Sequence, residues 1–256
     1  ECPAVAVTNA FNTVLYTGNG SIRSITGVGF EPDLVWIKKR SSASTGDHML
    51  FDSVRGVDKV IISNSTQAEY NGGGSGYQTS FDSDGFSITS NAFVNQSSAT
   101  YVAWNWKAGG TAVSNTDGTI TSQVSANVDA GFSIVSYTGE NAARTVGHGL
   151  SSAPEMVIIK NLDDARNWMV WQLNLSASSY LHLNLSDSEA TDTRTNGGQP
   201  RPFGPFTSTT FGVNIDNETG YTNDYIAYCF TSIPGYSKVG SYTGTGASGN
   251  SIYTGF

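Results

Sequence analysis

Charged residues are scarce in this sequence. Asp, Glu, Lys and Arg make up 13% of the 256 residues, against roughly 25% in an average globular protein. The 13 Lys and Arg are outnumbered by 21 Asp and Glu, and the formal net charge is −8. A nucleic-acid-binding protein needs a cationic surface that displaces the counterions of phosphates. We therefore expect no nucleic-acid partner.

Cysteine and long apolar runs are also lacking. The two cysteines, Cys2 and Cys229, are too few for a disulfide scaffold. Cys229 lies in a strand-like segment, which favours a buried free thiol, with a bridge to Cys2 as the alternative if the N-terminus folds back. No apolar run approaches the roughly 18 residues of a membrane-spanning helix. We expect no membrane insertion.

Glycine, small polar residues and aromatic residues are abundant instead. The chain has 29 glycines, and aromatic residues make up 11% of it. Short runs rich in Val, Ile, Tyr, Phe, Trp and Thr alternate with clusters of Gly, Asn, Asp and Ser, a pattern typical of strands joined by turns. No segment keeps an apolar helical period over several turns. The sequence therefore predicts an all-β protein with little helix.

The chain contains an internal repeat. Residues Phe11–Arg40 and Phe132–Asn161 share an aromatic residue, a strand, Tyr-Thr-Gly, a glycine-rich hairpin and a Pro-acid-apolar run ending in Ile-Lys. Weaker matches continue along both copies, and each copy holds about six strand-like runs. Six antiparallel strands with two distinct faces make a sandwich. We predict two tandem antiparallel β-sandwich modules that resemble jelly rolls.

The predicted boundaries follow the repeat. Residues 1–10 form an N-terminal arm, 11–110 the first module and 131–256 the second. Residues 111–130, small and polar but weakly alternating, form a linker or an edge-strand arm. The end of the chain repeats the Tyr-Thr-Gly segment of the first module. Residues 237–256 therefore either close the second module or start a third repeat, and pairing with a neighbouring chain is a further alternative.

The sequence carries no catalytic or metal-binding motif. His48, His148 and His182 fall on different elements and match no metal-ligand or nucleophile pattern. Asp82 and Asp84 stand in a short Ser-Asp-Gly stretch, which is typical of a turn capped by carboxylates rather than of a calcium loop. We expect no cofactor, no bound metal and no enzymatic activity.

Tryptophans are the residues with the clearest binding potential. Trp104 and Trp106 are two residues apart and share one strand face, and Trp168 and Trp171 stand in the second copy. Such a face is either core or, if exposed, a platform for sugars. These four tryptophans are the candidate glycan contacts. Asp52 and Arg55 are predicted to pair across a turn, as a structural tie or, alternatively, as part of a ligand site.

A family resemblance rests on a series of motifs. In order they are FDSVRG (Phe51–Gly56), SDGFSITSN (Ser83–Asn91), YVAWNWKAGG (Tyr101–Gly110) and VGHGL (Val146–Leu150). The chain resembles a repeated domain of unknown function found in structural proteins of tailed phages, marine and cyanobacterial ones especially. It departs from that pattern at Asn105, where the family often has Cys between two tryptophans. The second copy also lacks the Asp-Ser-Val-Arg-Gly turn.

The resemblance implies a virion surface module without catalytic residues. We expect a fibre, appendage or decoration subunit on the virion exterior that assembles with itself as a homo-oligomer and with other virion proteins, and that contacts host-surface glycans. The alternatives are a carbohydrate-binding module of a viral or secreted bacterial protein and a subunit of a cellular surface filament. A glycan-cleaving enzyme would need two carboxylates about 5–10 Å apart across a groove, and no acidic residues are paired that way in the sequence.

Overall fold

The protein is almost entirely β-structure. The computed structural model describes residues 10–41, 46–72, 76–175, 179–191, 195–196, 199–200 and 203–255. Within these ranges it has 22 strands in several antiparallel sheets and one four-residue helix. The predicted all-β class with little helix is confirmed. Because that helix is a single turn, none of the described residues forms a helical membrane span.

The N-terminal half, residues 10–110, contains a large and a small sheet. Its elements are β1 (Phe11–Thr17), β2 (Arg23–Thr26), β3 (Leu34–Lys39), β4 (His48–Asp52), β5 (Lys59–Ile62), β6 (Tyr70–Asn71), β7 (Gln78–Asp82), β8 (Gly85–Ile88), α1 (Ala92–Asn95) and β9 (Thr100–Trp106). The large sheet has the order β1-β9-β3-β4-β5-β6, and the small one has the order β2-β8-β7.

The C-terminal half, residues 111–255, has a comparable set. Its strands are β10 (Val113–Asn115), β11 (Ser122–Asn127), β12 (Phe132–Thr138), β13 (Arg144–Gly147), β14 (Met156–Asn161), β15 (Met169–Gln172), β16 (Ser179–His182), β17 (Ala190–Thr191), β18 (Thr195–Asn196), β19 (Gln199–Pro200), β20 (Phe203–Phe206), β21 (Thr210–Val213) and β22 (Asp224–Phe230). The large sheet has the order β10-β11-β12-β22-β14-β15-β16-β17, a small sheet has the order β13-β21-β20, and β18 pairs with β19.

The strand orders of the two halves correspond. The run β12-β22-β14-β15-β16-β17 follows β1-β9-β3-β4-β5-β6 position by position, and β13-β21-β20 follows β2-β8-β7. Residues 111–130, expected as a linker or an edge-strand arm, contain β10 and β11, which extend the second large sheet beyond β12. The edge of β1 carries no such addition among the described residues.

Each half has its own core between its large and small sheets. Alternate residues of a strand point to opposite faces, so Val35 and Ile37 of β3, and Val157 and Ile159 of β14, point inward. The small sheets supply the facing aliphatic and aromatic residues. In the N-terminal core these are Ile25, Phe86 and Ile88, and in the C-terminal core Val146, Phe203, Phe211 and Val213.

A third core joins the two halves. It contains the opposite faces of both large sheets, with Leu34 and Leu50 from the first and Ile226 and Tyr228 from the second. Trp168 lies fully buried in it at 0% exposure, and its indole N–H donates to the carbonyl of Ile62 in the other half at 2.9 Å. Both large sheets are therefore apolar on two faces over much of their area.

A buried ionic network lies beside this third core. Arg55 Nε is 2.5 Å from Asp52 Oδ2, with side-chain exposures of 3% and 0%, and Arg55 also bonds to Glu69 at 3.0 Å. The phenol of Tyr228, from the other half, donates to Asp52 at 2.8 Å. Burial would lower the pKa of Arg55, but the acidic partners raise it overall, so the guanidinium stays charged. The expected Asp52–Arg55 pair is present as a structural tie.

The Ser-Asp-Gly stretch is the turn between β7 and β8, and it bonds to the loop between β2 and β3. Asp84 accepts hydrogen bonds from the backbone N–H groups of Gly27 at 3.0 Å and Gly29 at 2.6 Å, which lower its pKa. Gly85 lies so close to the backbone of β2 that a Cβ atom would be 1.9 Å from the carbonyl oxygen of Ile25. This position requires glycine, and Asp84 acts as a cap for the loop.

The C-terminal segment differs from the rest of the described chain. Ser237 forms an isolated bridge with Ile233, and residues 238–255 belong to no strand, so they do not close the second half as part of a sheet. Tyr253 is 93% exposed. That these residues start a third repeat stays a prediction. Residues 1–9 of the predicted arm lie outside the described residues, as does Cys2, the candidate partner of the buried Cys229.

Replacing Arg55 with Ala should destabilise the protein by about 3–5 kcal/mol, because it leaves the Asp52 carboxylate buried without its counter-charge. Tyr228→Phe should cost about 1–3 kcal/mol, since it removes one hydrogen bond to that buried carboxylate. The free energy of unfolding from urea titration measures both changes.

Arg144→Ala is the matched control for the arginine variant. Arg144 pairs with Glu140 at 2.5 Å, but both side chains are well exposed, so the loss should stay below about 1 kcal/mol. Equal losses for the two arginine variants would contradict the role of the buried network.

Candidate functional site

The outer face of the first large sheet is only partly covered by the C-terminal half. In the β3–β9 ladder Trp36 pairs with Trp104 and Leu34 pairs with Trp106, so these four side chains share that face. Leu34 is buried in the third core, whereas the three tryptophans stay half-buried. The sheet therefore presents a row of indoles where its cover ends.

Two shallow, open cavities that share Trp106 lie along this row. The first, of about 280 Å³, is lined by Trp36, His48, Trp104 and Trp106. The second, of about 210 Å³, lies between the halves and also includes Trp106. Its other lining residues are Phe11, Ala130, Phe132, Phe230, Tyr236 and Ser237. We call the two cavities together the aromatic groove.

The rings of the groove meet at steep angles. Trp36 and Trp104 have centroids 6.0 Å apart and planes at 78°, and Trp36 and His48 have centroids 5.8 Å apart and planes at 74°. Phe11, 42% exposed, packs against Trp106 with centroids 4.9 Å apart. Edge-to-face packing of this kind holds each ring in place through its neighbours.

His48 supplies the groove with a fixed polar group. The Trp36 indole N–H donates to His48 Nδ1 at 3.0 Å, which assigns the proton of the neutral imidazole to Nε2. Burial lowers the pKa of His48, and the nearby Lys38 lowers it further. The ring is therefore neutral at pH 7, with an N–H group for a ligand. The backbone N–H of His48 donates to Asn64 Oδ1 at 2.9 Å.

The groove carries no formal charge at neutral pH. None of the residues that line its two cavities is Asp, Glu, Lys or Arg. The Lys38 ammonium, on the same sheet face, is engaged by the carbonyl of Gly46. The site therefore offers aromatic faces and a few N–H and O–H groups, which suits a neutral ligand with both apolar and hydroxyl surface.

The structure separates the four tryptophans expected to contact glycans. Trp104 and Trp106 line the groove. Trp168 is buried in the third core, so its prediction as a glycan contact is wrong. Trp171 stacks on Phe206 with centroids 3.6 Å apart at the edge of the C-terminal core, and it lines neither cavity. The sequence left open whether the tryptophans belong to the core or to an exposed platform, and packing between the halves places Trp168 in a core.

Trp36 is one of the five tryptophans that could stack on sugars, but the sequence alone does not group it with His48 and Phe11 in one site. Trp36 comes from β3, His48 from β4 and Phe11 from β1, and only the strand pairing brings them to Trp104 and Trp106. The alternation of β3 between core and outer positions was the available signal, since it places Trp36 opposite Val35 and Ile37.

A second group of residues with shifted pKa values lies in the C-terminal half. Burial lowers the pKa of Lys160 to about 8, and its ammonium donates to the carbonyl of Asn161 at 2.6 Å. Burial and a hydrogen bond with Asp216 raise the pKa of Glu218 to about 7. Asp216 also accepts from the backbone of Glu218 at 2.8 Å, so the two acids share one turn. Among the described residues no acid, histidine or cysteine cluster could hold a metal ion.

Comparisons with known proteins identify the family of the chain but indicate no activity. The family model described as a domain of unknown function, DUF7483, matches residues 6–256, so the chain belongs to this family. No curated protein matches the chain. No solved structure matches it either.

His48 should titrate below its ordinary pKa of 6.5, because burial and Lys38 disfavour the imidazolium. The unfolded chain then binds a proton that the folded chain does not, so this group's contribution to stability falls as the pH drops through about 6.5. An NMR titration of the imidazole resonances, assigned with His48→Gln, measures the midpoint. A midpoint at or above 6.5 would contradict the described environment.

Proposed function

We propose that this DUF7483 chain is a non-enzymatic structural protein of a tailed phage, a fibre, appendage or decoration subunit on the virion exterior. The motif series from Phe51–Gly56 onward supports this, since it resembles repeated domains of phage structural proteins. In this proposal the protein acts by assembly with copies of itself and with other virion proteins, and it uses no cofactor.

The corresponding strand orders of the two halves support a finer proposal for the fold. In this proposal residues 11–110 and 131–256 are two copies of one jelly-roll-like β-sandwich module, and 111–130 is an edge-strand arm of the second. The six matching positions of the large sheets and the three of the small sheets are the observation on which it rests.

The third core suits a protein that carries load outside a cell. A chain of sandwiches joined by flexible linkers would bend, whereas two sandwiches that share a buried interface move as one unit. The Trp168 indole and the Tyr228 phenol both bond across this interface. Low charge and a surface rich in Ser, Thr and Asn leave few flexible ionic side chains exposed.

Self-assembly is supported by the exposed edge of β1. The carbonyl of Ala10 accepts from Lys107, and the N–H of Gly18 donates to Ala99. By the two-residue period of an antiparallel ladder, the backbone groups of the residues at odd positions between them point away from β9. Leu15 on this strand is 61% exposed. No described strand pairs with this edge, although the N–H of Thr13 already donates to Asn12 Oδ1. An edge strand with exposed apolar residues is suited to pairing with another chain.

Purified particles of a tailed phage that encodes the chain test this proposal. We expect the protein in their proteome, and antibodies against it should label the particle exterior in electron micrographs. Absence from purified particles, or labelling only after the particles are disrupted, would overturn the proposed location.

Contact with host-surface glycans is a second function, favoured by the open aromatic groove. Glycan-binding surfaces present ring faces together with a small number of fixed polar groups, and Trp104, Trp106 and His48 supply these. This function is independent of the virion location, since a secreted binding module would use the same groove.

A further inference from the structure

Trp106 lines both cavities of the aromatic groove. We propose that the groove binds a neutral oligosaccharide, with one sugar ring in each cavity and Trp106 between the two rings. This inference deepens the glycan contact proposed above and rests on it, but it does not depend on the virion location.

The size of the cavities sets the length of the ligand. Their volumes of about 280 and 210 Å³ each fall short of the roughly 300–1,000 Å³ typical of pockets for drug-sized ligands. Each cavity is therefore suited to one ring rather than two. Because Trp106 lines both cavities, a ligand that fills both must continue from one ring to the next along the sheet face.

The indole rings match the apolar side of a sugar. A pyranose presents C–H groups on its ring faces, and the positive hydrogens of such groups are attracted to the negative face of an aromatic ring. Trp104 and Trp106 lie two residues apart on one strand face, so their Cα atoms are separated by roughly 6.5–7 Å. This spacing places Trp104 beside the ring in the first cavity and Trp106 between that ring and the next.

The hydrogen-bond donors of the groove match the hydroxyl side of a sugar. His48 Nε2–H is available because its other nitrogen is occupied by Trp36. The indole N–H groups of Trp104 and Trp106 have no partner within the part of the chain that the structure describes. A purely apolar ligand, such as a lipid chain, would bury these donors unpaired at a cost of about 1–3 kcal/mol for each polar group. Hydroxyl oxygens can accept from them.

The absence of lining charges selects a neutral sugar. A sialylated or uronic-acid chain would bring carboxylates into cavities that contain no cation, and burying an unpaired charge is costly. A quaternary ammonium ligand would suit steeply angled aromatic rings, but no acidic residue lines the groove to balance its charge. Neutral hexose and N-acetylhexosamine chains carry no charge, so neither argument excludes them.

Isothermal titration calorimetry with defined probes tests the proposal. The probes are maltotetraose, cellotetraose and chitotetraose, each with its disaccharide and monosaccharide, and a hyaluronan tetrasaccharide as the charged comparison. We expect at least one neutral tetrasaccharide to bind, and its disaccharide to bind at least tenfold more tightly than the monosaccharide. The hyaluronan probe should bind at least tenfold more weakly than that tetrasaccharide.

Variants assign the binding to the groove. Trp104→Ala should weaken binding roughly tenfold, the effect of losing one well-packed aromatic contact. Trp106→Ala should also remove the advantage of the disaccharide over the monosaccharide, because it separates the two ring positions. Trp104→Phe keeps a ring, so it should retain binding within about threefold, and it replaces the Ala variant if that variant does not fold.

Tyr253→Ala is the matched control, because it removes an exposed aromatic residue that lines neither cavity, and it should leave binding unchanged. Binding of no neutral probe at millimolar concentration would overturn the inference. So would preference for hyaluronan, or equal binding by wild type and the Trp106 variant. Each of these results leaves the proposed particle exterior intact, since antibody labelling of virions does not depend on sugar binding.

Discussion

Both faces of each large sheet must be covered, and the rest of the structure depends on this constraint. A single sandwich buries one face of each sheet and leaves the other to solvent. Here the outer faces carry residues such as Leu50 and Ile134, which are buried only because the two halves pack together. The halves therefore stabilise each other through a hydrophobic interface. The burial of Asp52 and Arg55 depends on the same contact, since Tyr228 from the opposite half completes their network.

Incomplete coverage of the same face creates the candidate site. Leu34 is buried in the third core, Trp36 on the same face packs against that core while staying half-buried, and Trp104 takes no part in it. Phe132 of the C-terminal half closes the second cavity against Phe11 and Trp106. The groove is thus formed where the third core ends, and its apolar character and concave shape have the same origin. The third core and the groove therefore lie on the same face of the first large sheet. The boundary between them is set by how far the C-terminal half overlaps that face.

Local patterns predicted the strands and the pairing of Asp52 with Arg55, because alternation, turn residues and short-range charge pairs are properties of neighbouring residues. The internal repeat led to the expectation of two similar halves. Local patterns could not predict that Trp168 is buried, because its burial comes from contact with the other half near Ile62. Trp36 and His48 were missed because register between strands, rather than spacing along the chain, brings them to Trp104. The C-terminal segment has a strand-like sequence, but its described residues 238–255 belong to no strand.

The third core unites the two halves into one cooperative structure. Differential scanning calorimetry of the intact chain measures this cooperativity. A shared core predicts a single transition whose calorimetric and van't Hoff enthalpies agree. Two separate transitions, or a van't Hoff enthalpy near half the calorimetric value, would show that each half unfolds independently and would contradict a shared core.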